Sequence, residues 1–100
     1  MEINKSNLIV PAEYKLSNYP NPFVEISTIR YELPFDSKVS IKVYDLMGRI
    51  VATLVEGDKK AGTYTVDFKR GHYRGTLYCR MVAKSNEKQF KQTNKMIQLQ

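Results

Sequence analysis

The chain contains 100 residues, with a formal net charge of +6 and a single cysteine. This length supports one domain with one two-layer core. A content of 42% hydrophobic and 26% charged residues is typical of a folded globule and excludes a disordered tail. No apolar run approaches the roughly 20 residues that a membrane-spanning helix needs, and no basic-then-apolar leader follows Met1. The chain is therefore compatible with one module of a longer protein.

The chain begins with a weakly patterned stretch and a proline-rich segment. We interpret residues 1–13 as a linker or lead-in segment, because they contain a proline that disfavours a strand centre. Residues 14–100 then form the domain. The prolines in residues 16–23 fix their own φ and push the preceding residues to extended geometry. We expect Tyr19 and Phe23 to lie there as aromatic anchors over the edge of the core.

The clearest strand signal lies in residues 38–55, where two alternating patterns flank a tight turn. Asp45 can cap the turn with its own side chain, and Gly48 can accept a positive φ without Cβ strain. The alternation predicts two paired strands with one face inward. The inward residues are expected to be Val39, Ile41, Val43, Ile50, Ala52 and Leu54.

Further strands follow at short spacing. Alternating apolar residues predict them at 26–33, 63–68, 76–83 and 90–99. We expect turns at 34–37 and 85–87, a charged loop at 56–60, and a polar loop at 69–75. Seven or so short strands with turns every ~8–12 residues predict an all-β, immunoglobulin-like antiparallel β-sandwich. The Cys–Trp–Cys pattern of antibody domains is absent, so the likeness is one of architecture.

The residues give little support for catalysis, a metal or a cofactor. Cys79 shares a strand face with Leu77 and Met81, which favours a small core residue over a nucleophile. His72 is the one histidine, and no second histidine or thiol lies near it, so an exposed loop residue is favoured over a metal ligand or general base. No nucleophile-elbow or phosphate-binding glycine pattern is present.

Other polar and aromatic groups have two interpretations each. For the carboxylates, turn capping is favoured over calcium binding; they are Asp36, Asp45, Glu56 and Asp58. For the seven tyrosines, packing is favoured over a surface that stacks sugars or nucleic-acid bases. The positive charge favours a solvated surface over an anionic partner, because basic residues are spread over almost every strand.

The C-terminal stretch is unusual for a sandwich, because Lys88, Lys91 and Lys95 precede the apolar residues 96–99. One interpretation is an edge strand that its lysines protect from edge-to-edge pairing. The other is an end strand that another protein pairs with by strand addition. The residues favour neither over the other.

Five segments carry a resemblance to a known family. They are LSNYPNPF at 16–23, STIRYELP at 27–34, VYDLMGR at 43–49, AGTY at 61–64 and KMI at 95–97. As an ordered set they resemble the type A C-terminal sorting domain of the type IX (Por) secretion system, found in Bacteroidota and their relatives. The resemblance runs from about Tyr14 to the last residue.

The resemblance implies a non-catalytic module at the C-terminus of a secreted enzyme or adhesin. The cargo would reach the periplasm, and an outer-membrane translocon would then export it to the cell surface. A sortase-like peptidase would remove the module and join the cargo to anionic lipopolysaccharide. By similarity, the residues that the translocon recognises are Asp45, Gly48, Arg49, Lys95, Met96, Ile97 and Leu99.

Two other functions stay open. One is an Ig-like structural spacer, similar to the domain of the flagellar hook-capping protein. The other is a carbohydrate-binding sandwich that uses the surface tyrosines Tyr73 and Tyr78. A nucleic-acid partner is not expected.

Overall fold

Two antiparallel sheets enclose one hydrophobic core in the computed structural model, which describes residues 10–71, 73, 75–86 and 88–98. The strands are β1 (Lys15–Tyr19), β2 (Ile26–Leu33), β3 (Ser37–Tyr44), β4 (Ile50–Lys59), β5 (Gly62–Lys69), β6 (Leu77–Ser85) and β7 (Lys88–Met96). The order is β1-β2-β5 in the three-stranded sheet and β4-β3-β6-β7 in the four-stranded sheet. The predicted immunoglobulin-like sandwich of about seven strands is confirmed. None of the described residues forms a helix that could cross a membrane.

The core forms where alternating apolar residues of the two sheets face each other. On β3 and β6 every second residue is buried, and on β2 the inward positions are likewise closed to solvent. This alternation is typical of sheets with one packed face and one solvated face. The fully buried apolar residues of these three strands are Ile29, Leu33, Val39, Ile41, Val43, Leu77, Cys79, Met81 and Ala83.

The hairpin predicted in residues 38–55 is confirmed, but its second strand is longer and faces differently. Irregular register between β3 and β4 places Val55 opposite Ile41 and leaves Val55 buried. Each β-bulge adds one unpaired residue and so changes which side chains point inward. Ile50 is 54% exposed, so its predicted inward position is wrong. Ala52 and Leu54 are half-buried and pack against the core.

Three further predictions are wrong in detail. Residues 56–59 of the charged loop predicted at 56–60 belong instead to β4, so Glu56 and Asp58 lie in a strand and not in turns. Tyr19 is 79% exposed and does not anchor the core edge, whereas Phe23, at 1%, does. The strand predicted at 90–99 starts earlier and ends earlier, at Met96.

Several predictions fall on residues outside the described ones. These are His72, Leu99 and the linker over most of residues 1–13.

Candidate recognition surface

The β3–β4 turn is held in one conformation by the side chain of Asp45. Its Oδ1 accepts hydrogen bonds from the backbone N–H of Met47 at 2.9 Å and of Arg49 at 3.0 Å. The Gly48 N–H donates to the Asp45 carbonyl at 3.0 Å, and the Asp45 N–H donates to the Arg49 carbonyl at 2.9 Å. Gly48 has φ of 84°, in the left-handed region that favours glycine. The predicted roles of Asp45 and Gly48 in the turn are confirmed.

The electrostatics of the turn follow from the same contacts. The Arg49 backbone N–H lowers the pKa of Asp45, and the Arg49 side chain and the Met47 N–H act in the same direction. Arg49 Nε lies 2.9 Å from Asp45 Oδ2. Because this ion pair is exposed, its contribution to stability is small. Its effect is on the shape of the turn.

The fixed turn presents two apolar side chains to solvent. Leu46 is 68% exposed and Met47 is 79% exposed, both at the tip. The two side chains are adjacent and form a small apolar patch at the tip. Leu46 and Met47 were not among the recognition residues predicted from the sequence, although two apolar residues inside an Asp-x-x-Gly turn are a recognisable pattern.

Strand register brings the turn and the end strand to the same end of the four-stranded sheet. Tyr44, the last residue of β3, lies opposite Tyr78 on β6. Tyr78 in turn lies opposite Lys95 near the end of β7. Neighbouring strands are about 5 Å apart, so Tyr44, which precedes the turn, and Lys95 are separated by about 10 Å across the sheet. Two segments that are far apart in sequence therefore share one surface.

The end of β7 and the residues after it are anchored to the proline-rich segment by the Asn21 side chain and the Phe23 backbone. Asn21 Nδ2 donates to the Lys95 carbonyl at 2.9 Å, and Asn21 Oδ1 accepts from the Ile97 N–H at 2.9 Å. The Phe23 N–H donates to the Ile97 carbonyl at 2.9 Å, and Phe23 forms an isolated parallel bridge with Gln98. Asn21 thus supplies the donor and the acceptor that a neighbouring strand would supply.

The predicted end-strand residues divide into buried and exposed ones. Met96 is completely buried, opposite Leu77 in the register. Lys95 is exposed and Ile97 is 42% exposed. Met96 therefore acts as an anchor that sets the position of its two neighbours, and its side chain is closed to a partner. Leu99 lies outside the described residues.

The loop before β6 connects the turn to the end strand. The Tyr73 hydroxyl donates to the Val51 carbonyl at 3.0 Å, on the β4 side. On the β7 side, the Gln98 side-chain amide donates to the Gly75 carbonyl. Tyr73 also lines a shallow groove with Leu46. We call the surface of residues 45–49, 73, 75–76 and 95–98 the reading end.

The other candidate groups serve packing. Cys79 is fully buried, and burial raises the pKa of its thiol to about 12, so the predicted core role is confirmed. Tyr14 stacks on Phe90, with ring centroids 5.2 Å apart, and Tyr31 stacks on Tyr64 at 5.1 Å. Within the described ranges, no three His, Cys, Asp or Glu residues gather as a metal site.

One comparison with known proteins gave a match. The family model described as the secretion system C-terminal sorting domain matches residues 17–98. Comparison with curated proteins and with solved structures found no match.

Proposed function

The chain belongs to the family of secretion system C-terminal sorting domains, and we propose that it is the non-catalytic signal by which a type IX system exports an N-terminal cargo. Membership of the family implies an interaction with the type IX machinery and export to the cell surface or secretion. The observation that carries the proposal is the match over residues 17–98, which covers most of β1 and every later strand.

We further propose that the machinery recognises the reading end. In this proposal the turn residues Asp45, Gly48 and Arg49 hold the tip in shape, and the tip makes the apolar contact. Lys95 and Ile97 supply a second point of contact at the same end of the sheet, two strands away from β3. Two contact points on one rigid end support recognition, because a partner then binds a preformed surface at little cost in ordering.

Met96 and Leu99 have different roles in the proposal. Met96 positions the end strand from inside the core, where it is fully buried. Leu99 is assigned to recognition only because it lies in the C-terminal segment that resembles the family.

The boundaries, the cargo and its later processing are also proposals. Residues 14–100 are the sorting domain, and residues 1–13 link it to a cargo on the N-terminal side. A sortase-like peptidase then removes the module and joins the cargo to anionic lipopolysaccharide. The Cys79 thiol is buried and its raised pKa keeps it protonated, so this group is out of reach of a substrate.

A fusion experiment tests the proposal. Residues 14–100 are fused to a periplasmic reporter in a host with a type IX system, and reporter activity is measured in the medium and on cells. The intact fusion is expected to be exported. Deletion of residues 95–100, and the double substitution Leu46→Ser with Met47→Ser, are expected to leave the reporter in the periplasm.

The matched control is Thr63→Ser with Thr65→Ser on the exposed face of β5, away from the reading end. It is expected to export normally. Periplasmic retention of the intact fusion, or normal export of the deletion variant, would contradict the proposal. A parent protein in which this module lies between two other domains would favour the structural spacer instead.

A further inference from the structure

The outer face of the four-stranded sheet concentrates positive charge. Alternation along three neighbouring strands places six cations there: Lys38, Lys42, Arg80, Lys84, Lys91 and Lys95. Lys95 belongs to the reading end, and we call the other five the cationic ring. The outer face of the three-stranded sheet differs, because Lys15, Arg30 and Lys69 lie there among Glu32 and Asp67. Arg30 forms an ion pair with Glu32 at 3.3 Å. The basic side chains are therefore not spread evenly over the folded surface.

Two pairs of cations in the ring lie directly opposite each other on neighbouring strands. Lys38 pairs in register with Lys84, and Lys42 pairs with Arg80. Like charges directly opposite each other destabilise an antiparallel pair. The two pairs lie four positions apart along each strand, which corresponds to about 13 Å at the rise per residue of a β-strand. A bound anion would relieve the repulsion within each pair.

Lys91 closes the ring on the β7 side. It lies opposite Val82 and is therefore diagonal to both Arg80 and Lys84. Ser40 lies opposite Val82 at the centre of the ring. Because both central side chains are shorter than the cations around them, the face has a shallow depression there.

Carboxylates compensate the ring on one side only. Glu56 lies 3.7 Å from the Lys42 ammonium, and Asp58 lies opposite Lys38 in register. Both carboxylates belong to β4. For the three cations on β6 and β7, the described part of the chain contains no ion-pair partner. The ring therefore carries an excess of positive charge.

We propose that the cationic ring binds an acidic glycan that carries phosphate groups about one disaccharide apart. Each facing pair supplies charge-assisted donors to one phosphate, and the spacing of about 13 Å fits a disaccharide with a phosphate at each end. Ser40 and Gln89, which also line the depression, supply hydrogen bonds to sugar hydroxyls. Among the described residues, the large apolar side chains that are exposed lie elsewhere. A protein hot spot or a membrane-inserted surface would use such side chains.

This inference goes beyond the sorting function, because none of the five cations belongs to the reading end. Binding is measured on the full chain by calorimetry, with a synthetic glucosamine disaccharide phosphorylated at both ends. The comparison ligands are the same disaccharide with one phosphate or none, and vesicles of phosphatidylglycerol with phosphatidylcholine. The variants are Lys38→Gln with Lys84→Gln, and Lys42→Gln with Arg80→Gln.

Each pair of substitutions is expected to weaken binding of the doubly phosphorylated disaccharide at least about tenfold. The matched control, Lys15→Gln with Lys69→Gln, removes the same charge from the other sheet and should bind like the original chain. Thermal unfolding without ligand separates binding from folding. The pair variants should be at least as stable as the original chain, because like-charge repulsion is relieved.

Four results would overturn the proposal. They are the absence of binding, an equal loss of affinity in the control variant, equal affinity for the singly phosphorylated disaccharide, and binding to vesicles without binding to the disaccharide. Equal affinity for the singly phosphorylated disaccharide would reduce the ring to a site for one anion. Binding to vesicles alone would assign the face to a lipid surface.

Discussion

Asn21 ties the end strand to the proline-rich segment, and its replacement gives a local prediction. Asn21→Ala removes the hydrogen bonds to the Lys95 carbonyl and from the Ile97 N–H, both at 2.9 Å. Each bond contributes about 1 kcal/mol net, so the loss is about 2 kcal/mol. That free energy corresponds to a roughly thirtyfold increase in local opening of the end strand.

Amide hydrogen exchange followed by NMR measures that opening. The Ile97 amide should exchange roughly thirtyfold faster in Asn21→Ala, while the amides of β3 and β6 in the core keep their protection. Asn21→Asp retains the acceptor for Ile97 and loses the donor to Lys95, so it should give a smaller increase at Ile97. Unchanged exchange at Ile97, or an equal increase at every core amide, would refute the reasoning.

Three further predictions concern the turn and the core. Gly48→Ala should lower the free energy of unfolding by about 1 kcal/mol, because a residue with a Cβ is strained at φ of 84°. Urea denaturation should show a smaller loss for Gly48→Asn, because asparagine tolerates positive φ better than alanine does. Equal losses for the two variants would contradict the need for a positive φ at this position. The lowered pKa of Asp45 means that its ionised form stabilises the fold fully above about pH 4 and loses that effect as pH falls through the folded-state value. Asp45→Asn should therefore show a flatter fall in stability between neutral pH and about pH 3 than the original chain, and parallel curves would argue against the contacts described. The thiol of Cys79, with its pKa raised from 9.0 to about 12, stabilises the fold fully below pH 9.0 and loses that effect as pH rises towards 12. At neutral pH it should react with an alkylating reagent only as fast as the domain unfolds, and immediate labelling of the folded protein would contradict its burial.

Local patterns predicted the parts of the fold that depend on neighbouring residues. Alternation along β3 and β6 gave the buried faces correctly. Asp45 and Gly48 predicted the turn, because capping and positive φ are properties of a few consecutive residues. The sandwich architecture followed from strand number and spacing.

Features that depend on pairing between distant strands were missed. The bulges opposite β3 shift which residues of β4 face inward, so Val55 and not Ile50 is buried. Glu56 and Asp58 looked like loop residues, yet β4 is an edge strand, where charged side chains are tolerated.

The candidate site shows the same division between local and distant information. The turn was identified, but the role of Asn21 was not, because its partners Lys95 and Ile97 lie 74 and 76 residues away. The concentration of charge on one face was also missed. Lysines that are evenly spread along a chain converge when register places Lys38 beside Lys84.

The bonds between Asn21 and the end strand also bear on the timing of export. A ribosome delivers Asn21 long before Lys95 and Ile97, so this junction forms only after all seven strands have been synthesised. An exporter that binds the junction would not recognise a chain truncated before Lys95 or a module in which the junction has not formed. The check that the sorting domain is complete and folded would then be made by the binding step itself.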